Sequence, residues 1–296
     1  MGTPTAYLLV MISTMFWGAN FVLAGPVLAD LTPLWSAALR FLLGATLMFI
    51  IAGLRREDLF GPLRRHAGAY LLLGTVGITA FNLFFFYALE ATTANNAALI
   101  MATNPLITTL LAVMMLGERP TARHLLALPL ALMGVAVVIA HGDLHRLAVL
   151  HVARGDWLML GANLSWALYN VLGRRYMPRG SPTVNTTWVM AVGAILLTCI
   201  AFGSGAHLAA LDTKASLALA VMVVGGTVLA YLFWSIGIAQ LGAARTAIFL
   251  NLVPVFAMLL GSALGTPPTT AQLAGGLLVL GGVSLSMLPR RRTKFA

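Results

Sequence analysis

Long apolar runs separated by short polar joints set the pattern of this chain. A helix needs about 20 apolar residues to cross a hydrocarbon core about 30 Å thick. Ten runs of that order can be marked, roughly at 5–25, 33–53, 67–89, 95–116, 122–140, 156–174, 184–203, 215–239, 244–264 and 270–288. A transmembrane β-barrel would instead show segments of about ten residues with alternating polarity, so the pattern excludes one. The joints leave no room for a soluble domain. The longest, about 141–155, carries His141, Asp143, His145 and His151. Their spacing fits no standard metal site, and the segment reads as a solvated loop or short interfacial helix. The pattern predicts an all-α integral membrane protein.

Two runs are broken at mid-span by proline, in Met101-Ala-Thr-Asn104-Pro105 and in Leu250-Asn251-Leu-Val-Pro254. A proline inside a helix leaves a carbonyl one turn back without its N–H partner. In lipid, a freed carbonyl is tolerable only where it faces protein or a water-filled cavity. The two prolines are 149 positions apart, and the same offset joins Trp17 to Trp166, Gly77 to Gly226, Phe84 to Phe233 and Thr121 to Thr270. One gapless offset across the chain predicts an internal repeat. The expected division is 1–142 and 150–290, with a basic cytoplasmic tail at 291–296. Five helices per repeat is an odd number, so the second repeat must be inverted in the bilayer. Paired broken helices in inverted repeats place a binding cavity at the repeat interface, with Pro105 and Pro254 as its hinges.

Composition agrees with a membrane protein. Of the 296 residues, 60% are hydrophobic and 9% charged, with mean hydropathy +0.93. The net charge of +10 does not point to nucleic acid, because the basic residues sit in joints. With the N-terminus inside, Arg55, Arg56, Arg64, Arg65, Arg119, Arg123, Arg174, Arg175, Arg179, Arg245, Arg290, Arg291, Arg292 and Lys294 all fall on the inner side. The outer side holds only Arg146, Arg154 and Lys214. That bias predicts cytoplasmic termini. Ala24-Gly-Pro loosely mimics a signal-cleavage site, but the first run has no basic flank and is long enough to span, so it reads as a retained helix. Cys199 is the only cysteine, so no intrachain disulfide can form.

The chain resembles the drug/metabolite transporter superfamily with two EamA-type repeats. The likeness is carried by Phe16-Trp17-Gly18-Ala19-Asn20, Ala38-Leu39-Arg40-Phe41, Ala98-Leu-Ile-Met101 through Asn104-Pro105, Leu116-Gly117-Glu118-Arg119-Pro120 and Leu132-Met-Gly134-Val. More narrowly, it is similar to the bacterial YddG-type exporters of aromatic amino acids. The second repeat departs from the pattern: Thr266-Pro267-Pro268 stands for the Gly-Glu-Arg-Pro ending and Trp188-Val189 for Arg-Phe. The resemblance implies a bacterial inner-membrane exporter.

Candidate contacts follow from helical spacing, which puts residues three and four apart on one face. Trp17 and Asn20 share a face of the first helix; Asn163, Trp166, Tyr169 and Asn170 share one of the sixth. Asn82, Phe85 and Phe86 are the candidates on the third, Tyr231 and Trp234 on the eighth. Met101 and Asn104 flank Pro105, and Asn251 lies beside Pro254. A cavity of rings and amides suits a substrate with an aromatic or apolar body and a small polar or zwitterionic head. Phosphorylated substrates would call for buried cations. Arg40, about 10 Å into its helix at 1.5 Å per residue, reads as a structural pairing within the bundle. No acidic residue is mid-span, which disfavours proton–cation antiport, and no Walker loop is present. The expected function is gradient-driven export of aromatic or apolar amino acids by a monomer in the lipid bilayer, with no cofactor. A nucleoside or sugar-derivative carrier, or proton-coupled drug efflux, is the alternative. An intramembrane enzyme lacks convergent titratable groups at depth.

Overall fold

The computed structural model describes residues 3–117, 122–140, 142–143, 153–241 and 249–287. Glu118, Arg119, Pro120, Thr121, His141, His145, Arg146, His151, Arg245 and the basic tail lie outside the described residues. The regular structure among the described residues is helical throughout. The first repeat comprises α1 (Thr3–Asp30), α2 (Pro33–Leu54), α3 (Phe60–Gly74), α4 (Phe81–Ala91), α5 (Ala94–Met101), α6 (Asn104–Leu116) and α7 (Ala122–Ile139). The second comprises α8 (Arg154–Tyr176), α9 (Pro182–Gly203), α10 (Thr213–Val221), α11 (Ala230–Leu241), α12 (Leu252–Ala263) and α13 (Thr270–Met287). α3 with α4, α5 with α6, and α10 with α11 each make one span of two helical pieces, so these elements form ten membrane spans in two inverted five-helix repeats.

Local chemistry repeats with the fold. Thr32 caps α2 by accepting from the Trp35 N–H at 3.3 Å, and Ser181 caps α9 by accepting from the Val184 N–H at 3.4 Å. Each cap is followed by a proline in the first helical turn, where the missing N–H costs nothing. Both caps and both prolines obey the 149-residue offset. The third and eighth spans widen into π-helical turns at Thr75–Ala80 and Met222–Leu229, again at matching positions. α1 runs through Pro26 to Asp30, five residues past the expected end, so α1 and α2 are joined by Leu31 and Thr32 alone. A kink at His66 divides α3 close to the expected start of the third span.

The packing exchanges the repeats. α2 packs on α9 and α7 on α13, while α1 against α11 and α12 answers α8 against α4 and α6. Two pairs of glycines mark close approaches related by the repeat. A Cβ on Gly77 would lie 2.2 Å from the Tyr169 ring, and one on Gly226 2.2 Å from Asn20 Oδ1. Likewise Gly193 meets Ile78 at 2.3 Å and Gly44 meets Thr227 at 2.8 Å. Adding 149 to one partner and subtracting it from the other converts each contact into its mate, which is the signature of a two-fold axis. At the remote pair, Gly134 and Gly275 bring the backbones of α7 and α13 together, each Cβ position lying 2.6 Å from the other's carbonyl oxygen. Small residues at such crossings let helices associate where lipid removes the hydrophobic driving force.

Candidate functional site

Between the repeats lies a cavity with about 650 Å³ of free space, its open mouth included. Its aromatic wall is Trp17 and Phe21 of α1, Phe81 and Phe85 of α4, Trp166 of α8 and Tyr231 of α11. Trp17 stands at the middle of α1. Its ring meets Trp166 at 6.4 Å and Tyr231 at 5.8 Å, both edge-to-face, and Trp234 packs behind it at 4.9 Å. Phe81 joins the wall by approaching Trp166 at 5.2 Å and Phe85 at 5.7 Å. Such ring pairs contribute roughly 0.5–1.5 kcal/mol each beyond their buried area. The wall is therefore a braced surface, with ring faces left over for a ligand.

The π-helical turn of the eighth span supplies the polar side. Trp17 Nε1 donates to the Gly226 carbonyl at 3.1 Å. The amide of Asn20 lies flat on Gly226, which only a residue without Cβ allows. Arg40 of α2 donates from Nε to Thr227 Oγ1 at 2.9 Å, and that hydroxyl donates to the Met222 carbonyl five residues back at 3.0 Å. Arg40 is 4% exposed and lines the cavity. Among the described residues it has no carboxylate partner. The pairing expected within the bundle is therefore made, to a hydroxyl of the eighth span, and the same side chain also faces the cavity. π-Turns recur at functional sites because they reposition backbone groups within a helix.

The proline breaks take a different form from an interior disruption. α5 ends at Met101, two residues turn, and α6 restarts at Asn104 with Pro105 in its first turn. Pro254 likewise sits in the first turn of α12, after a 3₁₀ turn at Phe249–Asn251. Asn163 of α8 closes the first break. Its Nδ2 donates to the Ile100 carbonyl at 2.8 Å and to Thr103 Oγ1 at 2.9 Å, and its Oδ1 accepts from Asn104 Nδ2 at 2.7 Å. Thr108 and Asn170 donate to Asn104 Oδ1 at 3.0 and 3.3 Å.

Of the residues expected to contact substrate, Trp17, Asn20, Met101, Asn104, Trp166 and Tyr231 line this cavity. The others lie elsewhere. Asn82 is buried and donates to the Ile78 carbonyl at 2.8 Å, and Phe86 is fully buried against Phe85. Asn163 and Asn170 serve the helix break. Tyr169 packs on Gly77 and beside Trp166, Trp234 forms the layer behind Trp17, and Asn251 is buried at the start of α12. Phe85, a candidate by spacing, does line the cavity, and Phe81 one turn before it takes the place expected for Asn82. A π-helical turn holds one more residue than an α-turn, so it rotates the downstream face by about 100°, one residue's worth of helix. Phe21 was legible as the neighbour of Trp17 at helical spacing, and Phe41 only as the residue after Arg40; packing shows that both reach the cavity.

Comparison with known proteins agrees with this architecture. The model of the EamA-like transporter family matches residues 4–140 and again 153–288. The chain is 36% identical over 294 residues to the transporter YyaM of Bacillus subtilis (strain 168), covering 97% of this chain and 96% of that one. It is 28% identical over 294 residues to a probable amino-acid metabolite efflux pump of Salmonella typhimurium (strain LT2), covering 94% and 93%. A crystal structure at 22% identity superimposes with a TM-score of 0.71 over 98% of this chain and 100% of the other, which shows the same fold. The twice-matched family model, falling on two helical repeats that enclose one cavity, establishes that this chain belongs to the EamA-like transporter family and is a transporter, not an enzyme.

Proposed function

We propose that the protein exports aromatic and other apolar amino acids, or closely related small metabolites, by alternating access. One observation carries the reading: a cavity at the repeat interface walled by Trp17, Trp166, Tyr231, Phe81 and Phe85, with Asn20, Arg40 and Asn104 as its polar groups. Rings hold a flat or apolar body through stacking and edge contacts, and the amides and guanidinium bind a small polar head. Pockets that pair an apolar lining with a few placed polar groups bind small molecules of this kind. The name carried by the Salmonella relative supports both the amino-acid class and the outward direction.

In this reading the repeats rock about the breaks at Pro105 and Pro254, exposing the cavity to one side and then the other. The transporter sits as a monomer in a bacterial inner membrane with both termini cytoplasmic, as the arginine and lysine bias predicts. Transport is driven by the substrate's own gradient. Proteoliposomes loaded with labelled phenylalanine or tryptophan test the proposal. Saturable, protein-dependent efflux with counterflow is the expected result. No flux of any amino acid overturns the substrate class, and flux that never saturates makes the protein a pore.

A further inference from the structure

We propose that Arg40 is the receptor for a substrate carboxylate, so that the cavity selects aromatic carboxylates and does not require an ammonium group. This rests on the carrier reading above and goes on to identify the group by which the substrate is recognised. Three observations carry it. Arg40 is 96% buried by its 4% exposure, yet it lies in the cavity wall. Its one hydrogen bond among the described residues runs from Nε to Thr227. No carboxylate among the described residues pairs with it, and none lines the cavity.

A guanidinium in the interior of a membrane protein is costly unless a counter-charge or a water-filled path offsets the lost hydration, and ionisable groups at such depth mark ligand pathways. A purely structural pin to Thr227 needs one neutral donor; the charge also meets the Phe41 ring at 5.3 Å, a contact that does not replace a counter-ion. Binding Nε to Thr227 also fixes the plane of the fork. The two terminal nitrogens then offer the parallel N–H pair that matches a carboxylate bidentately. The aromatic wall of Trp166, Phe81 and Phe85 shares the same cavity, so one ligand can use both ends. With no acid among the described lining residues, an ammonium group meets no fixed counter-charge from them.

Binding to the purified protein in detergent, followed by tryptophan fluorescence, tests this with 3-phenylpropanoate and its neutral isostere 3-phenylpropanamide. The acid should bind at least as well as phenylalanine, and the amide about tenfold or more weakly, as the loss of a charge-assisted pair implies. Arg40→Gln should bring acid and amide to parity, and Arg40→Lys should retain part of the preference. Thr227→Val, which keeps the charge and frees the fork, should reduce the acid-to-amide ratio without abolishing it. Equal binding of the two ligands to the unmodified protein, binding of neither, or an unchanged ratio in Arg40→Gln overturns the proposal. If Arg40→Gln does not fold, the wild-type ratio and Thr227→Val decide. Flux separates this from the carrier reading. An acid that binds but is not carried sinks the carrier and leaves the site; an amide carried as fast as the acid sinks the site and leaves the carrier.

Discussion

Asn163 and Asn104 hold each other across the boundary between the repeats. Asn104 Nδ2 donates to Asn163 Oδ1 at 2.7 Å, while Asn163 donates from Nδ2 to the Ile100 carbonyl at 2.8 Å. One amide from the second repeat thus adds a donor to a carbonyl that already accepts from the Thr103 N–H at 3.2 Å and the Thr103 hydroxyl at 2.7 Å within the turn of the break. The break is an inter-repeat joint held by side-chain hydrogen bonds.

Asn163→Asp keeps the shape but removes the donor, and it places a carboxylate against the Ile100 carbonyl. We expect a stability loss of roughly 1–3 kcal/mol, the cost of an unsatisfied buried polar group. Thermal unfolding in detergent measures it, and an unchanged midpoint would mean that the joint is held elsewhere.

The glycine contacts at the two-fold-related positions should behave alike. Gly77→Ala and Gly226→Ala each drive a Cβ to within 2.2 Å of Tyr169 and Asn20 respectively. Each should cost roughly 1–3 kcal/mol by overpacking. In the pair Gly226→Ala with Asn20→Ala the second change should recover part of the loss, giving a measurable coupling energy. Strict additivity would show that the contact does not matter.

Trp17→Ala and Trp166→Ala should impair transport while leaving folded protein in the membrane. Trp17→Phe preserves a ring but loses the hydrogen bond to Gly226, and should fall between wild type and alanine. Kinetics unchanged in both alanine variants would make these rings packing groups only.

Gly134→Ala tests the separation of scaffold from site. Its Cβ would lie 2.6 Å from the Gly275 carbonyl oxygen and 2.7 Å from the Val279 nitrogen, backbone atoms that cannot rotate away. The unfolding temperature should drop, with the substrate KM of the surviving protein unchanged. A large rise in KM would connect α7 and α13 to the cavity.

No carboxylate or histidine is among the described residues lining the cavity. Imposing a pH gradient of either sign across proteoliposomes should leave amino-acid accumulation unaltered. Uphill accumulation driven by the gradient would require a proton carrier outside the lining.

Span number, helical class, the 149-residue repeat and the sites of both helix breaks were readable in the amino-acid order alone. Each depends on local properties: the length of an apolar run, the missing N–H of Pro105 or Pro254, or a residue recurring at a constant offset. Which side chains face the cavity could not be read in the same way. The π-helical turns after Gly74 and Val221 change the helical phase. In α4 this brings Phe81 and Phe85 to the wall and leaves Asn82 and Phe86 inside. Asn163 and Trp166 share a face by spacing, yet one meets a broken helix and the other the cavity. Arg40 was readable as a pairing residue within the bundle, but only the folded chain shows that its partner is the Thr227 hydroxyl and that it also lines the cavity. A constant helical period assigns faces only while the period holds, and the partner of a buried group is chosen by whatever other helix arrives next to it.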